Sequence, residues 1–431
     1  MMRYCAFLLA LTPALGGCVV QNKQIDPTVE LTEAKVKPGI TVLLGDSIEL
    51  IRNKRIALLT NQTGVNEKGV SDIDLLVGKK AKAAHVTLVR LFSPEHGIRG
   101  TEDREQIANG TDRGTGLPII SLYTNQTVPP PDSLLTDVDA LVFDLQDIGT
   151  RTWTYVGELI YSMRAAARTH KQIIVLDRPN PITGYYVEGP ILDSSLSNAN
   201  DPSPGKPGTA YALYPMPLRH GMTMGELAQF YNETLNIHSN LKVVPVAGWR
   251  RDVWYDLTGL PWVKPSPNIA TLHSAMLYPA LVMFEATNMS VGRGTSLPFQ
   301  LLGAPWLKVP QVVALLKDRQ LTGVRFTAET FMPVNPSDGM FGGKLIPGIR
   351  ITVIDRSSMQ VARVGATLLW AINKVSPNEL KLDQPGFDHL FGSPSDRAAL
   401  LSGDDPDAVI DKDYKAVYEF RALAKQFLIY K

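Results

Sequence analysis

The 431-residue sequence predicts an α/β fold, a doubly wound parallel sheet followed by a smaller α/β or α+β domain. Short β-branched runs recur along the first half, with helical patterns between them. The runs are apolar nearly throughout, as expected of strands covered on both faces, rather than alternating as in a half-exposed sheet. Each run also ends in polar residues, and the carboxyl ends of the strands are where open α/β sheets bind their ligands.

Before the sheet, Arg3 and the apolar stretch "CAFLLALTPAL" form a segment too short to span a bilayer. Leu15-Gly16-Gly17-Cys18 then resembles the lipobox of bacterial lipoproteins, in which small residues precede a cysteine that becomes lipidated. Residues 1–17 therefore read as a signal peptide, Cys18 as the lipidation site and residues 18–38 as a polar tether. Val19, not Asp, follows the cysteine, so for a Gram-negative source the expected location is the periplasm, with a lipid anchor in the outer membrane. A plain secretory signal is the competing reading. The only cysteines are Cys5 and Cys18, which leaves the rest of the chain no thiol for a disulfide, a metal or a nucleophile.

Residues 39–236 are expected to form the sheet domain. Its strands are "RIALLTN" near residue 55, "VTLVRLF" near 86, "ALVFDL" near 140 and "QIIVLD" near 172. The clearest helix is "YVGELIYSMRAAARTH", from Tyr155 to His170, with an apolar stripe at Val156, Leu159, Ile160 and Met163. Residues 196–218, rich in Pro, Gly and Ser, read as a long loop. Thr223-Met-Gly-Glu226 fits a capping box that opens the next helix. Residues 237–431 are expected to form the second domain. It would hold the strands "LKVVPV" and "GIRITVID" and the helices "VARVGATLLWAINKV" and "YKAVYEFRALAKQFLIY".

The strand ends carry the candidate chemistry. Asn61 follows the first strand, and Glu95 and His96 follow the second. Asp144, Asp147 and Arg151 follow the third, and Asp177, Arg178 and Asn180 the fourth, with Glu188 beyond. A single such end is ordinary helix capping, whereas several on one rim would build a cleft.

Composition and absent motifs narrow the function. A net charge of +1 and no basic run with interleaved aromatics give no support for nucleic-acid binding. No G-x-G-x-x-G follows the first strand, no G-x-S-x-G elbow occurs, and the seven histidines are scattered without an H-E-x-x-H. No cofactor and no metal are expected. What remains is carboxylate chemistry of the kind glycosidases use, in which one acid protonates the leaving oxygen and a second group supports the oxocarbenium-like transition state.

At this point the residues resemble a family. The ordered segments "TNQTG", "FSPEHGIRG", "FDLQDIGTRTWTY", "DRPNP", "VEGP", "RHGMTMGELA", "SPNIAT", "FEATNMSVGRGTSLPF" and "GAPW" are similar to the exo-β-N-acetylmuramidase family of glycoside hydrolases. The resemblance implies a Rossmann-like catalytic domain and a smaller ancillary domain, with the active cleft between them. It also implies removal of terminal N-acetylmuramic acid from the non-reducing ends of peptidoglycan fragments. Glu95 is then the candidate general acid/base, Asp144 or Asp147 the second carboxylate, and His96 an orienting or sugar-binding residue. Arg151, Arg178 and Arg293 are candidates for the lactyl carboxylate of the substrate, because Arg reads carboxylates bidentately. Asn61, Asp177, Asn180, Glu188, Glu285 and Asn288 are candidate substrate ligands, and Trp153 and Tyr155 could stack on a sugar face. A non-catalytic lipoprotein that binds muropeptides is the alternative.

Overall fold

The computed structural model describes residues 36–99, 107–123, 127–198 and 211–431. The expected signal peptide, Cys18 and most of the expected tether lie outside the described residues, as do residues 199–210 of the long loop. The last tether residues are not loose: Val36 is buried, and Lys37 exchanges backbone hydrogen bonds of 2.9 and 3.0 Å with Ala247.

The strands up to residue 244 are β1 (Arg55–Thr60), β2 (Thr87–Ser93), β3 (Gly110–Thr111), β4 (Pro118–Ser121), β5 (Ala140–Asp144), β6 (Gln172–Leu176), β7 (Glu188–Ile191), β8 (Pro217–Arg219) and β9 (Asn240–Val244). Among the described residues a seven-stranded sheet runs β3-β4-β2-β1-β5-β6-β9, parallel except where β3 meets β4. The four strands read from the sequence sit at its centre. β9 differs from expectation: "LKVVPV" was assigned to the second domain, but it pairs in parallel with β6, so the sheet runs past residue 236. The run alone does not specify its sheet: β9 is an edge strand, with Asn240 and Lys242 exposed and Val244 buried.

Alternation along the central strands shows why the runs are continuously apolar. Ile56, Leu58, Ala140, Val142, Ile174 and Leu176 face one core, which includes Ile40 and Leu43. Ala57, Leu59, Leu141, Phe143, Ile173 and Val175 face the other, which includes Leu159 and Met163 of the helix Tyr155–Arg168. Fully burying a Leu or Ile side chain contributes about 1.5–3 kcal/mol, so both faces hold the sheet. That helix ends where His170 adopts φ +55°, a left-handed turn the helix cannot continue through. The helix Met224–Thr234 opens on the expected capping box: Thr223 Oγ1 accepts from Glu226 N–H at 3.2 Å, and Glu226 Oε2 accepts from Thr223 N–H at 3.0 Å.

Beyond the sheet, β10 (Leu301–Gly303), β11 (Val324–Phe331) and β12 (Ile346–Val353) form an antiparallel sheet in the order β10-β12-β11. It packs with the helix Val309–Asp318, while β7 and β8 form a separate ribbon. The class is therefore the expected one, a mostly parallel α/β sheet followed by a region with its own sheet and helices. Among the described residues no helix is long and apolar enough to cross a membrane.

Candidate active site

The loop after β2 turns sharply. Gly97 N–H donates to Pro94 O at 3.1 Å, and His96 and Gly97 both sit at positive φ, +69° and +75°. A side chain at positive φ is strained, and such strain persists where the surroundings hold it. The turn leaves Glu95 and His96 half-buried, while Arg99 pairs outward with Asp112 at 2.6 Å. Glu95 is held from the helix Tyr155–Arg168. Thr154, at its N-cap, does not cap the helix; its Oγ1 donates to Glu95 Oε2 at 2.5 Å. Beneath, Asn61 Nδ2 donates to Tyr155 Oη at 2.8 Å, and Tyr155 Oη donates to Pro265 O at 2.9 Å.

Glu95 and His96 line a cavity of about 270 Å³. Trp153, Thr154, Ser266 and Asn268 complete one side; Tyr278, Glu285, Arg293 and Phe299 come from further along the chain. Arg293 forks onto Glu285 Oε1 through Nε at 2.7 Å and Nη2 at 2.5 Å, and Nη1 donates to Ser337 Oγ at 3.1 Å. Trp153 is packed edge-on between Tyr155 and Tyr278, with ring centroids 5.2 and 5.9 Å away. Acid, imidazole, guanidinium, hydroxyls and aromatic walls in one small cavity suit a polar, ring-shaped ligand. Among the described residues no group of three or more His, Cys, Asp or Glu is arranged to hold a metal ion.

Of the sequence-predicted residues, the structure brings Glu95, His96, Glu285 and Arg293 into the cavity, with Trp153. It spends the others on support. Arg178 forks onto Asp144, Nε to Oδ1 at 2.6 Å and Nη2 to Oδ2 at 2.9 Å, with both side chains buried. Asp177 accepts from Tyr430 Oη at 2.6 Å, Thr223 Oγ1 at 2.7 Å and Gly225 N–H at 2.8 Å, tying a helix start and the chain end to β6. Arg151 donates to the carbonyls of Tyr211, His389 and Leu390 at 2.8–3.0 Å, where its charge also suits the end of the helix Gln384–Phe391. Asn180 bridges Met222 O and Ile182 N–H, and Asn61 is consumed by Tyr155 and by Thr63. Asn288 is bound to the backbone of Glu379 and Lys381. Glu188 accepts from Arg219 at 2.8 Å and lines a different cleft. Tyr155 is fully buried and cannot stack on a sugar. Thr154, Ser266, Asn268, Tyr278 and Phe299 were missed; "TRTWTY", "SPNIAT" and the segment ending "SLPF" stand among the family segments, whereas Tyr278 lies in none of them.

Two further carboxyls, Asp147 and Glu158, are buried. Burial pushes Asp147 up to about 7, although Oδ2 accepts from Gly149 N–H at 2.6 Å. His220 faces it, Nε2 at 3.6 Å from Oδ2, and is driven down to about 3 by burial and by Arg251, Arg151 and Arg219. Since His220 Nδ1 accepts from Met222 N–H, the neutral ring carries its proton on Nε2. Glu158, one turn along the helix from Thr154, is fully enclosed. Burial first, then the charge of Glu95, pushes it well above the usual carboxylate range.

Comparison with known proteins agrees with this organisation. Residues 56–273 match the model of the exo-β-N-acetylmuramidase NamZ N-terminal domain, and residues 276–430 that of its C-terminal domain. The chain is 37% identical over 398 residues, 92% of each sequence, to the peptidoglycan β-N-acetylmuramidase NamZ of Bacillus subtilis. A crystal structure of a DUF1343 family protein from Bacteroides fragilis superposes with a TM-score of 0.80 at 32% identity, covering 92% of this chain and 100% of that one. A second from the same organism gives 0.70 at 28% identity, covering 92% and 99%. The resemblance read from the ordered segments is thereby established: the chain belongs to the exo-β-N-acetylmuramidase NamZ family of glycoside hydrolases.

Proposed function

We propose that the chain is an exo-acting β-N-acetylmuramidase, that it removes terminal N-acetylmuramic acid from the non-reducing ends of peptidoglycan fragments, and that the Glu95 cavity is its active cleft. One observation carries the reading. Glu95 is pinned by Thr154 in a cavity whose other charged pair, Glu285–Arg293, comes from the segment matching the C-terminal family model. Glu95 protonates the leaving glycosidic oxygen and then takes a proton from the attacking water. Asp144 and Asp147 do not line the cavity, and among the described lining residues Glu285 is the second carboxylate. It faces the developing charge of the sugar ring and fixes Arg293. Arg293 supplies the cation for the lactyl carboxylate, and Asn268 and Ser266 offer hydrogen bonds to the N-acetyl group and hydroxyls.

The test is product analysis on defined fragments, one with N-acetylmuramic acid at the non-reducing end and one with N-acetylglucosamine there. Release of free N-acetylmuramic acid from the first alone is expected. Internal cleavage would overturn the exo reading, and tight binding without turnover would turn the chain into a muropeptide-binding protein. We also propose a periplasmic lipoprotein anchored through Cys18 to the outer membrane, supported by Leu15-Gly16-Gly17-Cys18. Cys18→Ser should move the protein from the membrane to the soluble fraction; an unchanged distribution would remove the anchor.

A further inference from the structure

A second cleft, of about 320 Å³, shares no lining residue with the Glu95 cavity. It lies between Tyr185–Gly189 at the start of β7, the segment Ser357–Arg363 and the helix Tyr414–Ala424. Two large aromatic rings stand open to solvent at its mouth, Tyr185 at 60% exposure and Tyr414 at 57%. Neither is adrift. Tyr185 packs edge-on against Tyr186 at 5.1 Å, and Tyr186 Oη donates to Ser357 O at 2.9 Å. Tyr414 Oη accepts from Arg363 Nη2 at 3.1 Å.

The cleft wall supplies an acceptor. Glu188, singled out in the sequence but absent from the Glu95 cavity, uses Oε1 on Arg219, and among the described residues no hydrogen bond is made to Oε2. Asp413, half-buried in the same wall, hydrogen-bonds Asp396 and is not an open acceptor. A carboxylate oxygen lining a cleft accepts from donors such as a hydroxyl or an amide N–H. One turn on from Tyr414, Tyr418 is 75% exposed and lines a neighbouring cleft of about 900 Å³, which Tyr185, Val187 and Arg421 also line. Residues four apart share a helix face, so Tyr414 and Tyr418 form a row.

Rings held open in a row, with the Glu188 carboxylate in the cleft wall, match a ligand with alternating apolar faces and hydroxyl or amide edges. That is the chemistry of a sugar chain, and a pair of adjoining clefts suits an elongated one. We propose that this surface is a non-catalytic glycan-binding site that takes a segment of an N-acetylated amino-sugar strand and keeps the protein on its polymer. The choice of that polymer rests on the proposed activity.

The test uses the full chain and the combined variant Tyr185→Ala/Tyr414→Ala/Tyr418→Ala, whose exposed positions leave the core intact. Binding is measured by co-sedimentation with insoluble peptidoglycan stripped of stem peptides and attached anionic polymers, in a Glu95→Gln background so that nothing is consumed. Turnover of a small chromogenic β-N-acetylmuraminide is measured with Glu95 present. The expected result is binding weakened about tenfold or more, from the loss of three stacking rings, with kcat/KM unchanged. Binding equal to that of the parent, no binding by the parent, or parental binding abolished by 0.5 M salt as for ionic capture would each overturn the proposal. Loss of turnover in the parent would instead count against the proposed activity, independently of the binding result.

Discussion

Arg178→Met removes the cation from the buried pair at the ends of β5 and β6. The parent makes two fork bonds to Asp144, at 2.6 and 2.9 Å, and one to Val65 O at 3.1 Å. Both side chains are enclosed, 3% and 0% exposed, so water cannot replace the guanidinium. Asp72 stands next to the pair and is pushed well above the usual carboxylate range by burial and by the Asp144 charge. Stripping one partner from such a pair costs about 3–5 kcal/mol, a large share of the roughly 5–15 kcal/mol that holds a domain. The cost has a definite pH dependence. Burial already raises Asp144 against the opposing pull of Arg178. Without the cation its folded pKa rises further, so the variant loses stability as pH rises and regains part of it toward pH 4. Urea unfolding at pH 5 and pH 8 measures this, with the larger deficit expected at pH 8. Assayed where it remains folded, the variant should keep its kcat/KM to within about threefold, because neither residue lines the Glu95 cavity. Unchanged stability with a selective loss on muramic substrates would refute the reasoning and return Arg178 to the lactyl carboxylate.

Further outcomes follow from the same geometry. Thr154→Val deletes the hydroxyl on Glu95 while keeping the shape, and kcat should fall about tenfold to a hundredfold, as for a lost hydrogen bond to a charged group. Glu158→Gln tests the enclosed carboxyl. Its folded pKa lies above the ordinary 4.5, so the parent loses stability as pH rises beyond that value and the variant does not. The melting-temperature difference between variant and parent should therefore move in the variant's favour from pH 4 to pH 8, and a pH-independent difference would contradict the burial argument. Arg293→Ala should lower kcat/KM on a β-N-acetylmuraminide about tenfold to a hundredfold more than on the matching glucosaminide, with partial rescue by Arg293→Lys; equal losses would remove the lactyl contact.

Much of the fold was legible because its signals are local. Continuous β-branched runs marked β1, β2, β5 and β6, and Thr223 with Glu226 marked a helix start. The site was legible only in part. Strand-end carboxylates look alike in sequence whether they face a ligand or a buried cation. What decides is a partner far along the chain: Arg178 for Asp144, 34 residues away, or Tyr430 for Asp177, 253 residues away. Arg151 is likewise taken by the Leu390 carbonyl, 239 positions on. Glu95 was readable as a candidate from its place after β2 in the family segment "FSPEHGIRG". Its hydroxyl partner was not, because Thr154 sits where a helix cap would, and only the folded chain shows its hydrogen bond going to Glu95.

The most direct test of the central claim is turnover of a chromogenic β-N-acetylmuraminide by the full chain and by Glu95→Gln, with circular dichroism to establish that both are folded. Removal of the general acid predicts release by the parent and a loss of about a hundredfold or more in the variant. Comparable turnover by a folded Glu95→Gln would contradict the account and move the chemistry away from this cavity.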